Sequence, residues 1–301
     1  MARKLIMMGR WRSKRFSNSV APTGWGDSTF AEAAWERSRS AATRWAIAGI
    51  VLGVLIALIA FAPAEWVARA VGSGTGQRVL LTDARGTIWS GSAVLVLTGG
   101  AGSRDAAALP GRLEWSLGLS GTSPALKVRH DCCLNDTVTF KLKPGLGRFS
   151  ATLVPPPGWV GQWPSALLGG LGTPWNTLQL GGTIRMLSPG VTVQWVQGRV
   201  LLDGNIDIEL MQASSRLSTL NTLGSYRLSI SGHASQSGEP PQVNLVTVDG
   251  ALKLSGSGTW TANGLRFRGE ATAAEAEAAA LSNLLNIIGR RNGARSVISI
   301  G

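Results

Sequence analysis

Catalytic side chains are scarce in this chain. Its 301 residues hold two histidines, two cysteines and one tyrosine, with 17 acidic residues against 29 basic ones. No GxSxG elbow, HExxH helix, Walker loop or familiar carboxylate pair occurs, so the motif-bearing hydrolases and nucleotide enzymes find no support. His130 and His233 lie far apart and neither sits in a motif. Cys132 and Cys133 are adjacent, so they cannot form the staple framework of a small secreted domain. No RNP, zinc-finger or helix-turn-helix pattern accompanies the pI of about 11.1, so basicity alone does not imply nucleic acid. These absences point to a non-enzymatic chain without a cofactor or metal.

Long apolar runs are also absent, with one exception. Trp45 to Ala62 reads WAIAGIVLGVLIALIAFA, 18 residues without a charge, followed by Pro63 and Glu65. At 1.5 Å per helical residue such a run just covers a hydrocarbon core about 30 Å thick. The preceding 44 residues carry nine Lys or Arg and three acids, and everything after them carries twenty and fourteen. Basic residues stay on the cytoplasmic side, so the head is expected inside and the rest of the chain on the far side of the membrane. Trp45 and Trp66 bracket the run as interfacial anchors. The competing reading is a cleaved signal peptide, with Ala60 and Ala62 or Ala62 and Ala64 as its small-residue site. The long head and long apolar core favour an uncleaved anchor. Gly49 and Gly53 form a GxxxG spacing that would seat a second copy, giving a possible homodimer. The expected organisation is a disordered basic head at 1–44, an anchor at 45–64, a flexible Gly-rich tether at 65–76 and a periplasmic β-rich domain at 77–301.

From Gln77 onward, short segments alternate apolar and polar residues between Gly-containing turns. RGTIWSGSAVLVLTGG (85–100), LQLGGTIRM (178–186), GVTVQWVQGRVLLDGNIDIEL (190–210) and VDGALKLSGSGTW (248–260) are examples. Period two is the mark of a half-buried strand, and many strands in chain order argue for an antiparallel meander. Within 251–257, Leu252 and Leu254 are expected on one face and Ala251, Lys253, Ser255 and Ser257 on the other. The fold class is therefore mainly β, a curled antiparallel sheet with the form of a half-open barrel or groove. Asp203, Asp207 and Glu209 fall on one face of a strand and read as a solvated surface. Asp83 and Arg85 are placed to pair before the GTIWSG turn.

Three stretches break the rhythm. Val154–Pro174 is rich in Pro and Gly and carries Trp159 and Trp163. Gln212–Asn221 reads as a loop or helical turn. Ala271–Arg291 reads as a helix, opened by Glu275 and Glu277, closed before Gly293, with Leu281, Leu284, Leu285 and Ile288 on the face laid across the sheet. The sequence RHDCCLND (129–136) reads as a hairpin tip. Its cysteines allow a vicinal disulfide or buried thiols, pairing with another chain, or a soft-metal site with His130.

The elements RGTIWSGSA (85–93), TPWNTLQLGG (173–182), HDCC (130–133) and EAEAAALSNLLNIIGRRNGARSVISIG (275–301) resemble the type II secretion system protein N family. The 44-residue head is longer than the short cytoplasmic start usual in that family. The resemblance implies a single-pass inner-membrane protein whose periplasmic domain serves the machine that exports folded proteins. Its partners would be other components, the secretin or the inner-membrane platform, with Trp159, Trp163 and Trp175 as the candidate contact unless they simply cap the core, the reading their composition favours. The alternative is an AsmA-like lipid-handling protein whose apolar sheet face shields acyl chains unless the 281–288 helix plugs it.

Overall fold

A computed structural model describes the backbone of residues 26–233, 239–261 and 264–301, with side chains from Thr43 onward. It divides into two units, 1–60 and Phe61–Gly301. The first holds helix α1, Gly26–Ala60. Ala, Glu and Arg, strong helix formers, dominate the stretch before the apolar run, so the head is helical from Gly26 rather than disordered. Residues 1–25 of that head lie outside the described residues. Within α1, Thr43–Ala60 has a mean hydropathy of 2.1 and is the helix long and apolar enough to cross a membrane among the described residues. Gly49 and Gly53 sit on it with open space where a Cβ would project. The span expected to reach residue 64 stops at Ala60. Pro63 breaks it, and Ala62 and Ala64 are tied instead to the domain: the Ile88 N–H donates to the Ala62 carbonyl, and the Ala64 N–H to that of Gly86.

Helix α2, Glu65–Gly74, replaces the expected flexible tether. Val67 packs with Leu81, Ala84 and the buried Ala64, Ala93 and Trp115, and that apolar contact makes the segment helical despite its glycines. Trp66 lies on α2, half exposed.

Sixteen strands follow: β1 (Val79–Gly86), β2 (Ser90–Thr98), β3 (Ala106–Ala108), β4 (Leu113–Ser120), β5 (Ser123–His130), β6 (Val138–Gly145), β7 (Arg148–Val154), β8 (Gly161–Pro164), β9 (Leu180–Val196), β10 (Arg199–Ser215), β11 (Gly224–His233), β12 (Gln242–Gly250), β13 (Leu252–Thr261), β14 (Gly264–Ala273), β15 (Arg290–Asn292) and β16 (Arg295–Ile300). They form one antiparallel sheet in near chain order, β1-β2-β4-β5-β6-β7-β9-β10-β11-β12-β13-β14-β16-β15, with β3 added to β2 and β8 to β9. Short turns explain the order. Gln197 and Gly198, both at positive φ, make the two-residue turn between β9 and β10 that suits the strand twist.

The registers give the sheet one apolar and one polar face. Ile208 pairs with Leu228 and Leu228 with Leu245, while Ile206, Ile230 and Val243 form the adjacent row. On the reverse face Asp207 lies opposite Ser229, and Glu209 opposite Arg227 with an Oε1–Nη2 distance of 2.8 Å. Asp207 accepts from Ser229 Oγ and Asn205 Nδ2, so the acidic strand face is solvated and paired. Leu252 and Leu254 share the apolar face as expected, Leu252 being buried.

Four small clusters make up the core. The largest joins Leu178, Ala213, Leu223, Tyr226, Leu252 and Ala271 to Leu281, Leu284 and Leu285 of helix α4, Ala278–Ile288. The helix is shorter than the expected 271–291. Ala271 and Ala273 complete β14, Glu275–Glu277 form a 3-10 turn, and Arg290 already belongs to β15. Gly293 turns the β15–β16 hairpin at positive φ rather than capping the helix. The polar groups in this cluster are satisfied: Tyr226 Oη donates to the Leu252 carbonyl at 3.0 Å, and Ser296 Oγ to that of Leu285. The other expected breaks are partly regular. β10 runs through Gln212 to Ser215 with a bulge near Met211, and 154–174 contains β8 and a 3-10 helix, Ser165–Leu171.

Candidate functional site

The turn between β5 and β6 gathers the residues with reactive chemistry. His130 ends β5 and is 2% exposed, Cys133 is 3% exposed and Cys132 faces solvent. Cys132 and Cys133 are bonded to each other. The Cys132 N–H donates to His130 Nδ1 at 3.3 Å, and the N–H groups of Cys133 and Leu134 donate to the His130 carbonyl at 3.4 and 3.3 Å. His130 Nε2 is buried without a hydrogen-bond partner. Burial disfavours the imidazolium and lowers the His130 pKa from 6.5, against a weaker opposing pull from Asp131. One donor atom from each of His130, Cys132 and Cys133 lies within 4.8 Å of the others. With both sulfurs in one bond neither is a thiolate, the form a metal requires.

This turn is stitched to the Trp-bearing segment. The Gln162 N–H donates to the Cys133 carbonyl at 2.8 Å, the Asn135 N–H to that of Val160 at 3.2 Å, and Asn135 Nδ2 to that of Pro157 at 2.9 Å. Gly161 is required there, because a Cβ would run into the Trp163 ring and come within 3.0 Å of the Cys133 carbonyl. Trp163 packs with Leu109, Cys133 and Leu167. Trp159 is half-buried, and Trp175, which opens helix α3 (Trp175–Leu178), is exposed. The structure thus joins Cys133 to Trp163, and sets Trp175 apart beside the Asn176–Asp105 hydrogen bond of 3.0 Å.

Asp83 pairs with Arg85 as the sequence suggests, and also with Arg112 at 2.6 Å. Hydrogen bonds from Arg112 and then Arg85 lower the Asp83 pKa below 3.8. A cavity of about 600 Å³ nearby is lined by Arg85, Glu114, Ser116, Lys127, Arg129 and Trp115, among others. Its lining mixes charge signs and hydroxyls.

Sequence reasoning passed over the apolar residues at the hairpin ends. Leu146 is fully exposed, Leu119 71%, Val200 55% and Trp260 53%, with Trp89 and Trp195 each at 43%. Their signal was available: apolar residues at or beside Gly-containing turns, where the sheet has nothing left to cover them.

The family model for type II secretion system (T2SS), protein N, matches residues 77–298, from just before β1 to within β16. Neither the curated proteins nor the solved structures contain a match to this chain. The match spans nearly the whole sheet with its C-terminal helix, and the chain belongs to the type II secretion system protein N family, a component of type II secretion.

Proposed function

We propose that this chain is a non-enzymatic, single-pass inner-membrane part of the secretion machine, its basic head cytoplasmic and its sheet domain periplasmic. The domain docks other components there, the secretin or the inner-membrane platform. The observation that carries the docking role is the C-terminal edge of the sheet. β15 covers only Arg295–Val297 of β16, so Ile298–Ile300 have no strand on that side among the described residues. An edge with free backbone groups accepts a partner strand by β-augmentation. The Cys132–Cys133 bond stiffens the turn to which the Trp159–Trp163 segment is hydrogen-bonded, and it suits an oxidising compartment. Trp175 is the exposed member of the candidate contact, while Trp163 caps core. Gly49 and Gly53 offer a dimer seam within the span.

Lipid handling is favoured by a different observation. α4 joins the cluster of Leu178, Ala213, Leu223, Tyr226, Leu252 and Ala271, whereas Ile206, Ile208, Leu228 and Ile230 lie outside that cluster and remain half-buried on the apolar face. Culture supernatants and envelope integrity of a strain lacking the chain separate the two readings. Exoproteins held folded in the periplasm behind an intact envelope support the docking role. Normal secretion with a leaky envelope sinks it and leaves lipid handling.

A further inference from the structure

The rim of the sheet that carries the β1–β2, β4–β5, β6–β7 and β9–β10 turns is one continuous side, since neighbouring strands are antiparallel and these turns alternate with connections at the other rim. The chain enters the domain at this rim. Pro63 bridges to Thr87 in the β1–β2 turn, and Ala62 and Ala64 hold that turn through Ile88 and Gly86. Phe61, the first residue of the domain unit, is 78% exposed. Along the sheet, at about 4.8 Å per strand, the β6–β7 turn lies about 20 Å from this entry and the β9–β10 turn about 30 Å from it.

Those two turns form one projection, apolar on one face and basic on the reverse. Leu146 stands at the apex of the β6–β7 turn, whose Gly147 has positive φ. The Gln197 N–H of the β9–β10 turn donates to the Gly147 carbonyl at 3.4 Å, and the rings of Phe149 and Trp195 lie 5.7 Å apart. Val200 faces Trp195 across the hairpin. Lys143, Arg148 and Arg199 are exposed at the same hairpin ends on the reverse face of the sheet, since they pair with Ser150 and Val196, and they form no ion pair among the described residues. From Thr137 to Leu202 the sequence contains no Asp or Glu, although it contains five Lys or Arg. Hairpin ends with exposed Leu, Trp, Phe and Val on one side, cations on the other and no acids match an anionic lipid surface, which takes apolar side chains at headgroup depth and attracts Lys and Arg.

We propose that the β6–β7 and β9–β10 hairpin ends rest on the anionic phospholipid of the bilayer that holds Thr43–Ala60, Leu146 and Trp195 entering the headgroup layer while Lys143, Arg148 and Arg199 on the reverse face of the same ends meet the lipid phosphates. This rests on the single-pass reading above and adds a second, peripheral membrane contact.

The test is amide hydrogen exchange on the full chain in nanodiscs. Discs of phosphatidylethanolamine with phosphatidylglycerol are compared with discs of phosphatidylcholine. The expected result is exchange about tenfold slower at residues 145–149 and 195–199 in the anionic discs. The Lys143→Glu, Arg148→Glu, Arg199→Glu variant and, separately, Leu146→Asp should lose that protection, with amides of α4 unchanged as the control for folding. Equal exchange in both discs, or protection that survives both variants, overturns the proposal. Protection that arises only on adding other secretion components also overturns it and makes the projection a protein contact. If the span itself fails to insert, α1 amides exchange freely in both discs, which separates failure of the anchor from failure of the rim.

Discussion

Leu281→Ala tests whether the sheet is held by one core or by several. Leu281 is completely buried and contacts the largest of four clusters, none of which contains more than nine buried residues. The substitution removes three carbons, worth about 2.4 kcal/mol of transfer free energy at about 0.8 kcal/mol each. The cavity left between α4 and β14 raises the cost to about 3–5 kcal/mol. Because the clusters are strung along the sheet, this loss falls on the C-terminal part. Amides of β13, β14, β16 and α4 should exchange roughly a hundred- to several-thousand-fold faster, at a factor of ten per 1.4 kcal/mol. Amides of β4–β7 should change by less than about threefold. The assay is native-state hydrogen exchange on the full chain in detergent. Uniform acceleration from β1 to β16 would refute the reasoning, because the sheet would then unfold as one cooperative unit. Acceleration below about fivefold at α4 itself would refute the assignment of that helix to the core.

Three further outcomes follow from single contacts. Gly91→Ala should destabilise by about 1–3 kcal/mol through overpacking, since the added methyl would lie 2.5 Å from Trp115 Cζ2 and 2.7 Å from the Arg85 carbonyl; Gly118→Ala, with nothing within 4 Å, is the comparison in thermal unfolding. His130 has a folded pKa below its ordinary 6.5, so the unfolded chain binds the proton more tightly; its contribution is complete above pH 6.5 and is lost as pH falls through the interval down to the folded value, and His130→Gln should remove that part of the acid slope in a stability–pH profile. A double-mutant cycle on Glu209 and Arg227, whose side chains are 20% and 46% exposed, should give a coupling below about 1 kcal/mol, so a larger value would mean that the polar face is shielded from solvent.

Alternation of period two was enough to read the sheet and its apolar face, and helical spacing the Leu281–Leu285 contact, because each depends only on neighbours along the chain. What the sequence concealed depends on neighbours across it. α2 reads as a Gly-rich tether, and becomes a helix because Ala64 and Val67 meet Ala93, Leu81 and Trp115 from strands far along the chain. Ala271–Ala273 read as helix from their alanines, and become strand because Leu252, Lys253 and Leu254 offer them a ladder. The tryptophans show the same limit most sharply. Trp115 and Trp195 both lie on strands that alternate apolar and polar residues, yet one is 6% exposed and the other 43%. Trp115 faces Gly91, whose missing side chain leaves room for the indole, and α2 lies over it. Trp195 faces Val200 one step from a hairpin end and stays 43% exposed among the described residues. A tryptophan paired with glycine sinks; one paired with valine at a turn stays out. The register decides which of them holds the domain together and which is free to touch something else, and only after pairing is known does the acid-free interval around Trp195 acquire a meaning.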